Sequence, residues 1–363
     1  MKVFFDHQCY WEKYGGVSRY FTEILKTDII GAEYELALKY SNNEYLTELD
    51  VKYKHIFEKL NIPKKQYLIS NFNKPNSVSK LNKTGAKIVH ITHYDPYLFK
   101  YKNNKTIIST IYDLNFFTIP QYFRRNFNIL KSWQTECVKQ SDFLITISEN
   151  SKNDLIKYFN FDEKRIKVIH LGVNEQFKKS NEDRLIKVPY ILFVGRRNGY
   201  KNFETLLKSY INLGKSDIAL VCTGASFSKT EMDMFDKLGY SNKIIHVNAN
   251  EEQLVNLYSN AICFIFPSLY EGFGLPLLEA MGCECPVLCS NSSCFPEIAG
   301  DAAVYFDSKS VNDCTEKLEE IIKNTSLRES LKTKGLIRKK NFSWDITRKE
   351  HFDLYKKLYE AMS

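Results

Sequence analysis

Short runs of β-branched and aromatic residues alternate with helical stretches along the whole chain, and this alternation restricts the fold more than any other feature. "KVFF", "IVHIT", "TIISTI" and "FLITIS" are separated by helical stretches such as 17–27, 122–139 and 149–158. The rhythm restarts at "YILFVG" (190–195) and continues through "IALVC", "KIIHV", "CFIF", "PVLC" and "AVYF". Strand, helix, strand at this spacing implies parallel sheets with helices on both faces. Two series imply two doubly wound α/β domains, and 363 residues suffice for two separate cores.

The polar stretch "HLGVNEQFKKSNEDRLIKVP" (170–189), broken by Gly and Pro, marks the linker. The expected organisation is a first Rossmann-like domain over 1–170, a linker over 171–189, a second Rossmann-like domain over 190–340, and a C-terminal helix over 341–363 that packs back on the first domain. Helices are expected at 309–324 and 326–339, and the last helix carries Trp344, Phe352, Tyr355 and Tyr359 as anchors. No repeat of solenoid length is visible.

The opening "MKVFFDHQCYWEK" has no apolar core of signal-peptide length, and no later run reaches the ~20 apolar residues of a membrane span. A cytoplasmic protein is expected, and nine cysteines outside any small secreted framework agree with a reducing compartment. In "CECPVLCSNSSC", Cys283, Cys285, Cys289 and Cys294 read as small apolar side chains on and around a buried strand, since structural zinc draws paired ligands from two knuckles. The net charge of +8 is uneven. Residues 51–100 hold ten Lys against Glu58 and Asp95, whereas 251–300 hold six Glu and no Lys or Arg. The first half either faces an anionic partner or presents a solvated Lys-rich face. "NIPKKQYL" and "QYFRRNFNILKSW" mix cations with aromatics, a composition suited to the inner face of a membrane.

In parallel sheets, ligands bind beyond the carboxyl ends of the strands, so the loops there are candidate sites. After the first strand, "YGGVSRYFTEIL" leads Gly15 and Gly16 into a helix whose free N–H groups and dipole favour an anion. The same glycines also suit a plain turn. In "VGRRNGYKN", Arg196 and Lys201 lie just past a strand and together could neutralise a diphosphate.

The stretch "EGFGLPLLEAM" follows the buried strand "CFIF". Pro276 suits the first helical turn. Gly272 and Gly274 allow close approach, so the amides of Gly272, Phe273 and Gly274 can donate to ligand oxygens. Eight residues at 3.6 per turn put Glu271 and Glu279 about 80° apart, free to hold different parts of one polyhydroxylated ligand.

"PSLYEGFGLPLLEAM" resembles the E-x7-E signature of the family-4 retaining glycosyltransferases, which have the GT-B architecture of two facing Rossmann-like domains with an interdomain cleft. "YGGVSRY", "FLITISENSKNDL", "VIHLGVNEQF", "VGRRNGYKN", "CPVLCSNSSCFPEIAGDAAVYFD" and "FSWD" extend the resemblance in the family's order. It implies that Arg196 and Lys201 hold the donor diphosphate, Glu279 the nucleotide ribose and Glu271 the transferred sugar. Gly272, Phe273, Gly274 and Leu275 would line the sugar and phosphate, with the base near Val247 in "HVNAN" and the phosphates under Gly15 and Gly16. One departure is Tyr112, followed by Asp113, where many members carry a sugar-contacting His; His93 in "VHITHYDPY" is placed to take part of that role, and His90 lies nearby.

The style of the motifs resembles bacterial mannosyltransferase-like enzymes of surface-polysaccharide assembly. The implied activity is transfer of a hexose from GDP-mannose, or else a UDP-hexose, to a glycan or lipid-linked glycan, without metal or other cofactor; no D-x-D motif occurs in the chain. A nucleotide-sugar epimerase and a catalytically silent partner subunit are the alternatives. Other classes fit less well. Leu277 stands where a dinucleotide fingerprint needs its third Gly. A retaining glycosidase has no use for a phosphate-binding pair, and no nucleic-acid-binding module appears.

Overall fold

The computed structural model describes residues 1–26, 31–57, 60, 62–63, 65–123, 127–197, 199–214 and 217–362. Parts of the basic stretches, namely Glu58, Lys59, Asn61, Lys64, Arg124, Arg125 and Asn126, lie outside the described residues. The chain divides into two compact units, Met1–Leu171 with Trp344–Ser363, and Gly172–Ser343.

The first unit is built on β1 (Lys2–Phe5), β2 (Glu33–Leu36), β3 (Ile88–Ile91), β4 (Thr106–Ile111), β5 (Phe143–Thr146) and β6 (Ile166–Val168). They form one parallel sheet in the order β2-β1-β3-β4-β5-β6. The central strands are buried on both faces, which is why they read as continuous apolar runs in the sequence. "EYEL" and "IKV", the edge strands β2 and β6, do not: each leaves residues at least partly exposed. The helix Lys65–Lys83 is equally hard to read in the sequence, because Pro75 falls inside it and its apolar positions form no strong stripe.

The second unit contains β7 (Tyr190–Phe193), β8 (Ala219–Thr223), β9 (Ile244–Val247), β10 (Cys263–Phe266), β11 (Val287–Ser290) and β12 (Ala303–Phe306), ordered β12-β11-β10-β7-β8-β9 and again all parallel. Two six-stranded parallel sheets with flanking helices are thus the doubly wound architecture expected from the alternation. Helices cover both faces. The helix Thr325–Lys339 packs so closely on Leu275–Gly282 that a Cβ on Gly335 would lie 3.1 Å from the Met281 side chain.

The C-terminal helix Trp344–Glu360 belongs to the first unit and is fixed there by polar contacts in an apolar setting. Its Tyr355 hydroxyl is 2.6 Å from His90 Nδ1, and its His351 Nε2 is 2.8 Å from the Tyr20 hydroxyl. Thr347 donates to the His170 carbonyl at 2.8 Å. Desolvation holds His90 and His351 neutral, well below the ordinary histidine pKa, so these rings act as hydrogen-bonding core residues. All nine cysteines are buried free thiols. Among the described residues no helix is long and apolar enough to cross a membrane.

Candidate functional site

Each sheet has a topological switch point, where consecutive connections leave in opposite directions and open a crevice beyond the carboxyl ends. In the second unit it falls between β7 and β10, so the loops after those strands face the same space. They are the loops of Arg196 and Lys201 and of Glu271 to Gly274. Three contacts join them. Leu269 N donates to the Tyr200 carbonyl at 2.8 Å, Asn202 Nδ2 donates to Pro267 O at 3.0 Å, and Lys201 Nζ meets Glu271 Oε1 at 2.7 Å. Asn202 adopts left-handed backbone geometry (φ 56°) at the start of the helix Phe203–Asn212, and its amide also reaches Ser308 O at 2.8 Å. The sequence gives no hint of this clip beyond an Asn, a residue type that tolerates that geometry.

Adjacent arginines separate cleanly. Arg197 is nearly enclosed, with its Nε 2.7 Å from Glu231 Oε1, its Nη2 2.9 Å from Ser226 O, and its guanidinium over the Phe227 ring at 4.6 Å. Burial alone would raise the Glu231 carboxyl, but the bonds from Arg197 and Ser228 outweigh it and hold it at about 2. Arg196 is exposed, with no ion-pair partner among the described residues, so its charge is available to a ligand. Beside it the chain turns through Gly195 (φ 126°), against which the β8 loop presses: a Cβ on Gly224 would come 2.6 Å from Gly195 O. Val247 ends β9, next to His246, whose Nε2 is 2.9 Å from Gly224 O.

The helix Leu275–Gly282 starts on Gly274 in left-handed geometry (φ 94°), with Pro276 in its first turn. That reversal corrects the 80° estimate for Glu271 and Glu279, because Glu271 lies before the helix and out of its phase. The two carboxylates meet different partners. Glu271 faces Lys201, whereas Glu279 Oε2 accepts from the Tyr258 hydroxyl at 3.2 Å. Burial pushes the Glu279 carboxyl up to about 7, Tyr258 opposing and the Glu251 charge adding to the rise. The amides of Gly272 and Gly274 have no hydrogen-bond acceptor among the described residues. Phe273 is buried, and its carbonyl, like that of Glu271, accepts from the Cys294 thiol beneath the loop. Leu275 begins the helix proper.

In the first unit, Gly15 has extended backbone (φ 166°) at the N-terminus of the helix Gly16–Leu25, and its carbonyl accepts from the Ser18 hydroxyl. An added Cβ on Gly16 would meet nothing within 4 Å, so the protein itself leaves the space above it open. Tyr112 follows β4, and its hydroxyl is engaged internally, donating to the Thr92 carbonyl at 2.6 Å. Asp113 Oδ1 accepts from Asn115 N at 3.1 Å, and its carbonyl accepts from the Gln134 amide. His90 is enclosed between Tyr355 and Thr110. His93 differs: its ring packs 5.8 Å from Trp11, and neither nitrogen has a hydrogen-bond partner among the described residues. The structure therefore brings together Arg196, Lys201, Glu271, Gly272, Phe273, Gly274, Leu275 and Glu279 around the second unit's switch point, and holds Gly15, Gly16, His93, Tyr112 and Asp113 in the first unit.

Comparison with known proteins gives concordant matches. The profile of the glycosyl transferases group 1 matches residues 174–337, and that of glycosyltransferase family 4 matches residues 14–177. An O-antigen chain mannosyltransferase B of Escherichia coli is 28% identical over 271 residues, covering 69% of this chain and 70% of that protein. The O-antigen chain mannosyltransferase RfbU of Salmonella typhimurium is 29% identical over 243 residues, covering 65% of each. Among solved structures, the sucrose-phosphate synthase of Thermosynechococcus elongatus superposes with a TM-score of 0.77 at 17% identity over 99% of both chains, a likeness of fold.

Proposed function

We propose, from the premise that this chain belongs to the family-4-like GT-B glycosyltransferases, that it is a retaining, metal-independent enzyme that moves a hexose to a glycan or lipid-linked glycan acceptor. The observation that carries this reading is the joining of two loops at the second unit's switch point, which sets Lys201 against Glu271 and leaves Arg196 uncovered. Mannose from GDP-mannose is the preferred donor, since the O-antigen relatives are named mannosyltransferases; a UDP-hexose is the second choice.

Arg196 and Lys201 bind the donor diphosphate, Arg as a fork and Lys as a point charge. Glu271 turns from Lys201 to the hydroxyls of the transferred sugar, Glu279 accepts from the ribose, and the amides of Gly272 and Gly274 donate to phosphate or sugar oxygens. Phe273 and Leu275 shape that loop, and the base lies along Val247. Gly15 and Gly16 leave the N-terminus of their own helix open to an anionic group. As the bond from the anomeric carbon to the β-phosphate oxygen breaks, charge grows on the diphosphate, and fixed cations stabilise it without a divalent ion. An acceptor hydroxyl attacks the same face of the sugar, and its proton passes to the departing phosphate oxygen. Configuration is thereby retained without an enzymic nucleophile. The Tyr112 hydroxyl proton is committed to the Thr92 carbonyl, and Asp113 orders the loop after β4.

A cytoplasmic location with peripheral contact at the inner membrane face fits a lipid-linked acceptor. Exposed Tyr67, Phe72 and Ile129, 47%, 50% and 61% accessible, lie in or beside the lysine-bearing stretches of the first unit.

A thermal-shift screen of the purified protein against GDP, UDP, GDP-mannose, UDP-glucose and NAD, with and without EDTA, tests the reading. An EDTA-insensitive rise with one nucleotide supports it and identifies the base. Response to NAD alone refutes it. Tyr112 in place of the usual His favours a silent partner subunit as the second reading, which predicts nucleotide binding without transfer to any acceptor; a product with the sugar epimerised but not transferred marks an epimerase.

A further inference from the structure

The first sheet has its own switch point, between β1 and β3, and a built crevice lies beyond it. Its floor is a polar staple between the two strand ends. Asp6, following β1, accepts from Thr92 N at 2.9 Å and from the Gln8 amide at 2.5 Å. That amide donates again to Asp95 O, while Gln8 Oε1 accepts from Asp95 N, both at 2.9 Å. Such mutual satisfaction fixes the loop carrying His93 and Asp95 against the end of β1.

Above the staple, Trp11, Tyr67, His93, Asp95 and Trp133 line a narrow slot. It encloses about 330 Å³ including its open mouth, but only about 30 Å³ of that can hold the centre of a water. A buried water needs at least about 10–15 Å³ by that measure, so the slot admits roughly two waters, or two hydroxyl groups. The chemistry at its walls is specific. His93, desolvated and held neutral with a pKa lowered to about 4, offers one donor and one acceptor with no protein partner among the described residues. Asp95 uses one oxygen on Lys74 at 2.5 Å and receives Tyr97 N on the other at 3.2 Å, which leaves lone pairs to accept with. Lys74 in turn lies over the rings of Tyr97 and Trp133.

These features discriminate among ligands. A hydrocarbon would leave Asp95 and His93 desolvated without compensation. A carboxylate or phosphate would meet Asp95 head on, and a cation would compete with Lys74, already seated. A neutral polyol with apolar C–H faces matches both the polar depth and the aromatic rim.

We propose that this slot is an acceptor saccharide subsite, in which two neighbouring hydroxyls of a pyranose enter between His93 and Asp95 while Trp11 and Trp133 cover the ring. The proposal rests on the glycosyltransferase reading and names the acceptor side of it. His93 and Asp95 then select for a vicinal diol, and the tryptophans for the sugar face.

The test uses the full chain with a saturating nucleotide and a panel of methyl hexopyranosides, with and without an intact vicinal diol, followed by saturation-transfer NMR and tryptophan fluorescence. Methyl glycosides that keep the diol should bind, and deoxy analogues should bind at least about tenfold more weakly, the size of a lost buried hydrogen bond. His93→Phe and Trp11→Leu should each lower glycoside affinity by about the same factor, His93→Gln should restore part of it, and the nucleotide thermal shift should be unchanged in all three. Trp133→Leu serves if one of them does not fold. Glycoside binding that is absent in the parent, indifferent to the diol, or untouched by the folded variants overturns the subsite while leaving the donor site standing. Absence of a nucleotide shift in the parent overturns the enzymatic reading instead.

Discussion

Lys201 Nζ stands 2.7 Å from Glu271 Oε1, a pair joining the loops after β7 and β10, with the two side chains 21% and 14% exposed. The cation proposed to meet the donor diphosphate is thus held by the carboxylate proposed to meet the donor sugar. A bound nucleotide sugar offers each a separate partner, so occupancy exchanges one ion pair for two sets of ligand contacts.

Lys201→Ala should therefore lower turnover more than it lowers donor affinity, because the phosphate charge grows in the transition state. Calorimetric donor titration alongside steady-state kinetics measures both; equal losses would assign Lys201 to ground-state binding alone.

Glu279→Ala should weaken donor binding by about 1.5–3 kcal/mol, the range for hydrogen bonds to a charged group, with the fold retained. Its carboxyl is raised to about 7, so the fold prefers the protonated form. That contribution to stability is complete below the ordinary carboxylate pKa and is lost as pH rises through about 7. Ribose hydroxyls bond more strongly to the ionised carboxylate than to the neutral acid, so donor affinity should climb with pH up to about 7 and level off above it. A donor affinity flat across that interval in the parent would remove Glu279 from the site.

Gly16→Ala should leave thermal stability nearly unchanged, since an added Cβ meets nothing within 4 Å. Transfer should fall sharply if phosphates approach there. Unaltered kinetics would return Gly16 to the status of an ordinary helix-start glycine.

Gly274→Ala forces a Cβ into left-handed geometry (φ 94°), 3.0 Å from the Phe295 ring. The backbone penalty alone is about 1–2 kcal/mol. Urea unfolding should report at least that loss, and a neutral result would show that the loop relaxes without cost.

Asp6→Asn puts an amide where the Thr92 N–H, the Thr92 hydroxyl and the Gln8 amide all donate. One donor must then face another, at about 1–3 kcal/mol. Urea denaturation should show the first unit weakened. Unchanged stability would mean that Gln8 reorients freely and the staple is not rigid.

The two parallel sheets and the succession of their strand-end loops are legible from local sequence. Strands such as "TIISTI" and "CFIF" are covered on both faces, so their apolar runs are local signals, and the glycines and proline of "EGFGLP" mark a helix start without reference to distant residues. Other features depend on residues brought together from far along the chain. Edge strands β2 and β6 lack an enclosed run, and the helix over Pro75 contradicts local propensity; each exists because neighbours pack against it. Arg196 and Arg197 are indistinguishable as letters, yet Glu231, far along the chain, claims Arg197 and leaves its neighbour exposed. Asp6, Gln8 and Asp95 become a staple only when β1 and β3 pair across more than eighty residues. Backbone preference is set by adjacent residues, whereas the partner, solvation and charge state of a side chain are set by whatever the fold places beside it.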